Sequence, residues 1–122
     1  MNVDTEKNKE YYKTAEPCQC DVCRYFCRHI RKALPEVADH LDTLNVDIEK
    51  PFELIWMDCN DDGHIDFIGC QYIVFGSCDD DLKLKIGDID FINNTDMHPT
   101  TGIEEEHFVL DFGKVTMDMK EQ

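Results

Sequence analysis

The apolar residues of this chain change their period once, near Pro51, and that change limits what it can fold into. Before it the spacing is helical. Val22, Phe26, Ile30 and Ala33 would form one stripe, and Val37, Ala38, Leu41 and Leu44 a second, shorter one. Asp21 at the start and Arg28, Arg31 and Lys32 at the end match the charge a helix dipole prefers at each terminus. Pro35 lacks the N–H a helix interior needs but suits the first position of a new helix. Residues 21–44 are therefore predicted as a helix pair, or one helix broken at Leu34-Pro35.

Past Pro51 everything reads as strand. Residues 52–57 form a short apolar run, and 65–75 are rich in β-branched and aromatic side chains. Leu82, Leu84 and Ile86 alternate with Lys83 and Lys85, and Ile89 and Phe91 extend the same strand. Phe108, Leu110 and Phe112 alternate with Val109 and Asp111, and Val115, Met117 and Met119 repeat the period after Gly113. Turns are expected at 60–63, 76–81 and 93–102, with His98-Pro99 as a turn in the last. Strands that follow one another without helices favour an antiparallel meander. The expected class is α+β: an N-terminal helix pair packed on an antiparallel sheet of about four or five strands.

A chain of 122 residues and 14.2 kDa can bury about two-thirds of its extended surface, which is one core and not two. Residues 18–122 are read as a single α+β domain, and residues 1–17 as a flexible arm anchored by Tyr11 and Tyr12 and closed by Pro17. The first ten residues are polar and hold no apolar segment, so no secretory signal is expected. Seven cysteines, an odd number, cannot all pair within one chain, which points to reduced thiols and a cytoplasmic protein. No stretch approaches the roughly 18 apolar residues that a membrane span requires.

The formal charge of −15 is unevenly placed. Residues 1–34 hold seven Lys or Arg against five acids, a net +2, whereas 35–122 hold 22 acids against five lysines, a net −17. Such a field repels nucleic acid and anionic lipid and attracts a basic protein. Two acidic triplets, Asp79-Asp80-Asp81 and Glu104-Glu105-Glu106, are the candidate contacts for that partner, against a plainer role in blunting strand edges. Phe52, Trp56 and Met57 are read as core rather than as interface anchors. Nothing in the pattern fixes an oligomeric state.

Cys18, Cys20, Cys23 and Cys27 lie within ten residues, spaced C-x-C-x2-C-x3-C. A helix starting near Cys20 would put Cys20, Cys23 and Cys27 on one face, with Cys18 folding back toward its first turn. Zinc takes four thiolates in a tetrahedron at about 2.3 Å. The positive helix end and Arg24 would favour the thiolates. Zinc is thus the candidate ion, held by these four or by three of them and a distant fourth ligand. The competing reading makes Cys23 and Cys27 small hydrophobes and leaves Cys18 and Cys20 in a loop. The order is the reverse of radical iron–sulfur spacing. Cys27 and His29, two apart on a helix, point away from each other, and no nucleophile elbow or H-E-x-x-H is present, so no catalytic residue is assigned.

The stretch from Asp58 to Asp66 resembles the EF-hand calcium loop, with Gly63 at its sixth position. That likeness implies Asp58, Asn60, Asp62 and Asp66 as side-chain ligands and His64 as a carbonyl ligand. Position twelve is Gly69, where the family has a bidentate Glu, and the flanks read as strands. Both departures argue against calcium and for a hairpin turning on Asp62-Gly63.

Tyr11-Tyr12, the Pro17–Cys23 segment, Leu41, and Val46-Asp47 with Pro51-Phe52-Glu53 resemble a family of small uncharacterised bacterial proteins. In its small acidic build the chain is also similar to cytosolic immunity proteins, which neutralise secreted toxins. These resemblances imply a non-catalytic acidic binding protein, an inhibitor of a basic toxin domain. The alternative is a small zinc-binding domain, structural or redox-sensing, built on Cys18, Cys20 and Cys23.

Overall fold

The computed structural model describes residues 1–59 and 63–118. The elements run β1 (Asn2–Val3), α1 (Thr5–Thr14), α2 (Asp21–Ala33), α3 (Pro35–Thr43), β2 (Glu53–Cys59), β3 (His64–Ser77), β4 (Leu84–Ile86), β5 (Ile89–Asn94), β6 (His107–Gly113) and β7 (Val115–Asp118). The class is α+β, with helices N-terminal to an antiparallel sheet. No helix among the described residues is long and apolar enough to cross a membrane.

The sheet is organised around β3, not as a meander. β1 and β2 line one edge of this 14-residue strand, β6 and β7 the other, and β5 and β4 follow outward from β6. A strand this long can hold two partners end to end on each edge, so the described residues form seven strands, two of them short, in the expected antiparallel sheet. Alternate residues of β3 face opposite ways. Cys70, Tyr72 and Val74 face the helices and pack with Phe26, Ile30, Val37 and Leu41 in the main core. Ile73 and Phe75 face the other side, where Val109, Tyr11, Phe52 and Ile103 form a smaller core.

Pro35 opens α3 as expected. The buried face of α2 is Cys23, Tyr25, Phe26 and Ile30, rotated from the predicted stripe so that Ala33 is exposed. Phe26 meets Phe67 of β3 with ring centroids 4.9 Å apart.

Residues 1–17 are not a free arm. Asp4 caps α1 through the N–H of Lys7, and Tyr12 donates its hydroxyl to the Ile73 carbonyl at 2.7 Å. Asn8, fully buried, accepts the N–H of Phe75 at 2.8 Å and donates to the Leu44 carbonyl at 2.9 Å. β1 lies so close to β3 that a Cβ on Gly76, at φ +121°, would land on the Asn2 carbonyl oxygen.

Two strand predictions are corrected. Gly87, at φ +60°, turns the chain between β4 and β5, so Ile89 and Phe91 return antiparallel instead of extending the strand. Trp56 and Met57 are exposed, at 41% and 59%, because β2 is an edge strand whose register shifts between Ile55 and Trp56. Phe52 is half-buried against the smaller core.

Candidate metal centre

The thiol cluster is built by the first turn of α2. Cys20 is the N-cap, with extended backbone, and its Sγ accepts the N–H of Cys23 at 3.4 Å. Its own N–H donates to Cys18 Sγ at 3.5 Å. The chain before the helix is thereby folded back, and the sulfurs of Cys18, Cys20 and Cys23 all lie within 4.8 Å of one another. A tetrahedron with metal–sulfur bonds of about 2.3 Å has sulfurs about 3.8 Å apart. These three thiols are therefore close enough to bind a metal ion after small side-chain rotations. Cys18 and Cys20 are exposed and Cys23 is buried.

Cys27 is not part of this group. An i, i+4 step displaces it about 6 Å along the helix axis from Cys23. It instead lines a groove of about 250 Å³ with Pro17, Cys18, Gln19, Arg24 and Arg28. Burial pushes its thiol up to about 11. Cys23 is also raised, first by burial and then by its sulfur neighbours. Cys20 moves the other way, because the backbone N–H of Cys23 stabilises its thiolate. The cluster thus pairs one exposed, thiolate-favouring sulfur with a buried thiol.

The six acidic residues are exposed but only partly convergent. Asp80 and Glu106 line one groove of about 300 Å³, with His98 and His107 also in its wall. Glu105 is paired with Lys7 at 3.1 Å. Asp79, Asp81 and Glu104 do not line that groove.

In the calcium-loop look-alike, Asn60, Asp61 and Asp62 lie outside the described residues. Cys59 pairs with His64, so the segment joins β2 to β3 as a hairpin with a four-residue connection ending at Gly63, φ +71°. Asp66 accepts the Thr116 hydroxyl at 2.6 Å and lies 3.4 Å from Lys114 Nζ.

No protein-family model, curated protein or solved structure matches this chain.

Two features escape the sequence pattern. On the sheet face away from the main core, Asp111 accepts from Asn94 at 2.8 Å and Gln71 at 3.3 Å, and all three are buried. Burial raises the Asp111 carboxyl, against the lowering effect of both amides. Asp111 sits at an outward position of an alternating strand, which reads as solvent, but its two amide partners, Gln71 and Asn94, also donate to the Met97 carbonyl of the 95–103 connection. The second is the exposure of several large apolar side chains, Ile55, Trp56, Met57, Ile68, Ile92 and Met97. Trp56 and Met57 belong to an apolar run that composition alone places in the core.

Proposed function

We propose that this protein binds a thiophilic metal ion, zinc, through Cys18, Cys20 and Cys23. The observation that carries this reading is the mutual approach of their three sulfurs to within 4.8 Å at the N-cap of α2. Three protein thiolates leave one tetrahedral position for a solvent, partner or more distant donor, the pattern of an open rather than a closed zinc site. The decisive experiment is metal analysis of the full chain purified without chelator, together with cobalt titration. About one bound ion per chain and a thiolate-to-cobalt charge-transfer band are expected, both lost in Cys20→Ser and in Cys18→Ser. Absence of the band at saturating cobalt in the reduced wild type would refute the assignment.

A second reading is favoured by a separate observation, the convergence of Asp80 and Glu106 on one groove in the half of the chain that carries −17. In this reading the protein is a non-catalytic acidic inhibitor of a basic toxin domain, of the immunity or antitoxin type. Opposed fields raise association rates and make them salt-dependent. Binding to a basic toxin domain encoded beside it should weaken with salt and with Asp80→Lys/Glu106→Lys; affinity indifferent to both excludes this surface.

A further inference from the structure

We propose that Cys20 and Cys23 form a thiol–disulfide redox pair that reacts with an anionic low-molecular-weight disulfide of the glutathione class, drawn to the site by Arg24 and Arg28. The pair uses thiols of the candidate metal centre but goes beyond that reading, since it requires no bound metal.

Geometry selects the pair. Cys20 Sγ is exposed and lies over the backbone N–H of Cys23, 3.4 Å away, with the buried Cys23 sulfur behind it. Residues three apart on an α-helix have Cα atoms about 5 Å apart, inside the roughly 4.4–6.8 Å range of disulfides. Side-chain rotation can therefore close the bond without moving the backbone. Cys18, outside the helix, is the spectator.

Charge selects the substrate. A chain of −15 repels small anions almost everywhere. Arg31 is occupied, held by Asp42 at 2.9 Å, Asp47 at 3.6 Å and Glu49 at 2.9 Å. Arg24 and Arg28, one turn apart and exposed, make no ion pair among the described residues. They line the groove that Cys18 and Cys27 also line, and the Cys18 sulfur in its wall lies within 4.8 Å of Cys20 Sγ.

In the first step the Cys20 thiolate attacks one sulfur of the small disulfide. The S–S bond breaks, one half leaves as a thiolate that takes a proton from water, and a mixed disulfide remains on Cys20. Cys23 then loses its proton to solvent and attacks Cys20 Sγ, expelling the second half as a thiolate that is protonated in turn. The protein's two thiols are oxidised to a disulfide, and one small disulfide is reduced to two thiols.

The test uses the metal-free full chain incubated with oxidised glutathione, followed by intact mass and peptide mapping, with circular dichroism verifying that each variant is folded. Wild type and Cys18→Ser should each lose two hydrogens in the peptide that holds the pair. Cys23→Ser should stop at a glutathione adduct on Cys20, and Cys20→Ser should form neither product there. Arg24→Ala/Arg28→Ala should slow oxidation by oxidised glutathione about fivefold, from the ordinary strength of exposed ion pairs, and should not slow oxidation by cystamine, a cationic disulfide. Loss of oxidation in Cys18→Ser, a persistent adduct in wild type, or equal effects of the arginine variant on both disulfides overturns the proposal. Cys18→Ser also separates the two readings, because it removes a metal ligand but not a member of the redox pair; a chain that binds no zinc yet oxidises at Cys20 and Cys23 sinks only the metal assignment.

Discussion

Asn8→Ala should destabilise the whole protein, although Asn8 lies in a segment whose sequence looks dispensable. The side chain is fully buried, and its amide joins three elements. Its oxygen takes the N–H of Phe75 in β3, and its nitrogen reaches the Leu44 carbonyl at the end of α3. Truncation leaves both backbone groups without that partner, at about 1–3 kcal/mol for each buried unsatisfied group. A loss of about 2–6 kcal/mol is a large part of the roughly 5–15 kcal/mol that holds a small domain folded. Asn8→Leu separates the terms, since it restores volume but not hydrogen bonds. Urea unfolding should show both variants with a lower midpoint, and Asn8→Leu no better than about 1 kcal/mol above Asn8→Ala. If both lose less than about 1 kcal/mol with unchanged slope, water replaces the amide, and the docking of α1 rests on its other contacts, Tyr11 and Tyr12 among them.

Gly76→Ala should detach β1, because φ +121° is unsuited to an L side chain and the new Cβ would meet the Asn2 carbonyl; we expect a cost of about 1–3 kcal/mol and faster amide exchange at Val3. Asp111 titrates with a raised pKa, so its favourable contribution is present below the ordinary carboxylate range and is lost as pH rises through the raised value. Asp111→Asn should therefore flatten the fall in stability across that acid window, as read by thermal melts at stepped pH; a profile parallel to wild type would show that the carboxyl is solvated.

Much of the fold was legible because local and tertiary preferences agree. Pro35 breaks the helix pair where its missing N–H dictates, and the alternation of Phe108, Leu110 and Phe112 places them on the helix-facing side of β6. Legibility failed where a residue's role depends on something distant in sequence. Residues 1–17 read as an arm because α1 docks through buried polar contacts at Asn8, which a hydropathy pattern scores as solvent. Gly87 was hidden inside a run whose alternation continues across the turn, since Ile86 and Ile89 are directly paired. Trp56 and Met57 read as core because composition does not reveal that β2 is an edge strand. At the candidate site, spacing predicted one helical face for Cys20, Cys23 and Cys27, but the rise of a full turn carries Cys27 away, while Cys18 folds back as its position before the helix implies and supplies the third sulfur.

The charge pattern and the thiol site are linked through α2. Three thiolates around a divalent ion carry a net negative charge, which a chain of −15 would disfavour over most of its surface. At the start of α2 the local field is opposite. The N–H of Cys23 in the first turn donates to Cys20 Sγ, and Arg24 and Arg28 line the groove that Cys18 also lines, while the acids at Asp42, Asp47 and Glu49 are drawn to Arg31 further along the helix. The same cations that offset an anionic metal–thiolate centre also attract an anionic disulfide. Replacing Arg24 and Arg28 should therefore weaken zinc and slow oxidation by oxidised glutathione together, whereas replacing Arg31, whose charge is already balanced, should change neither.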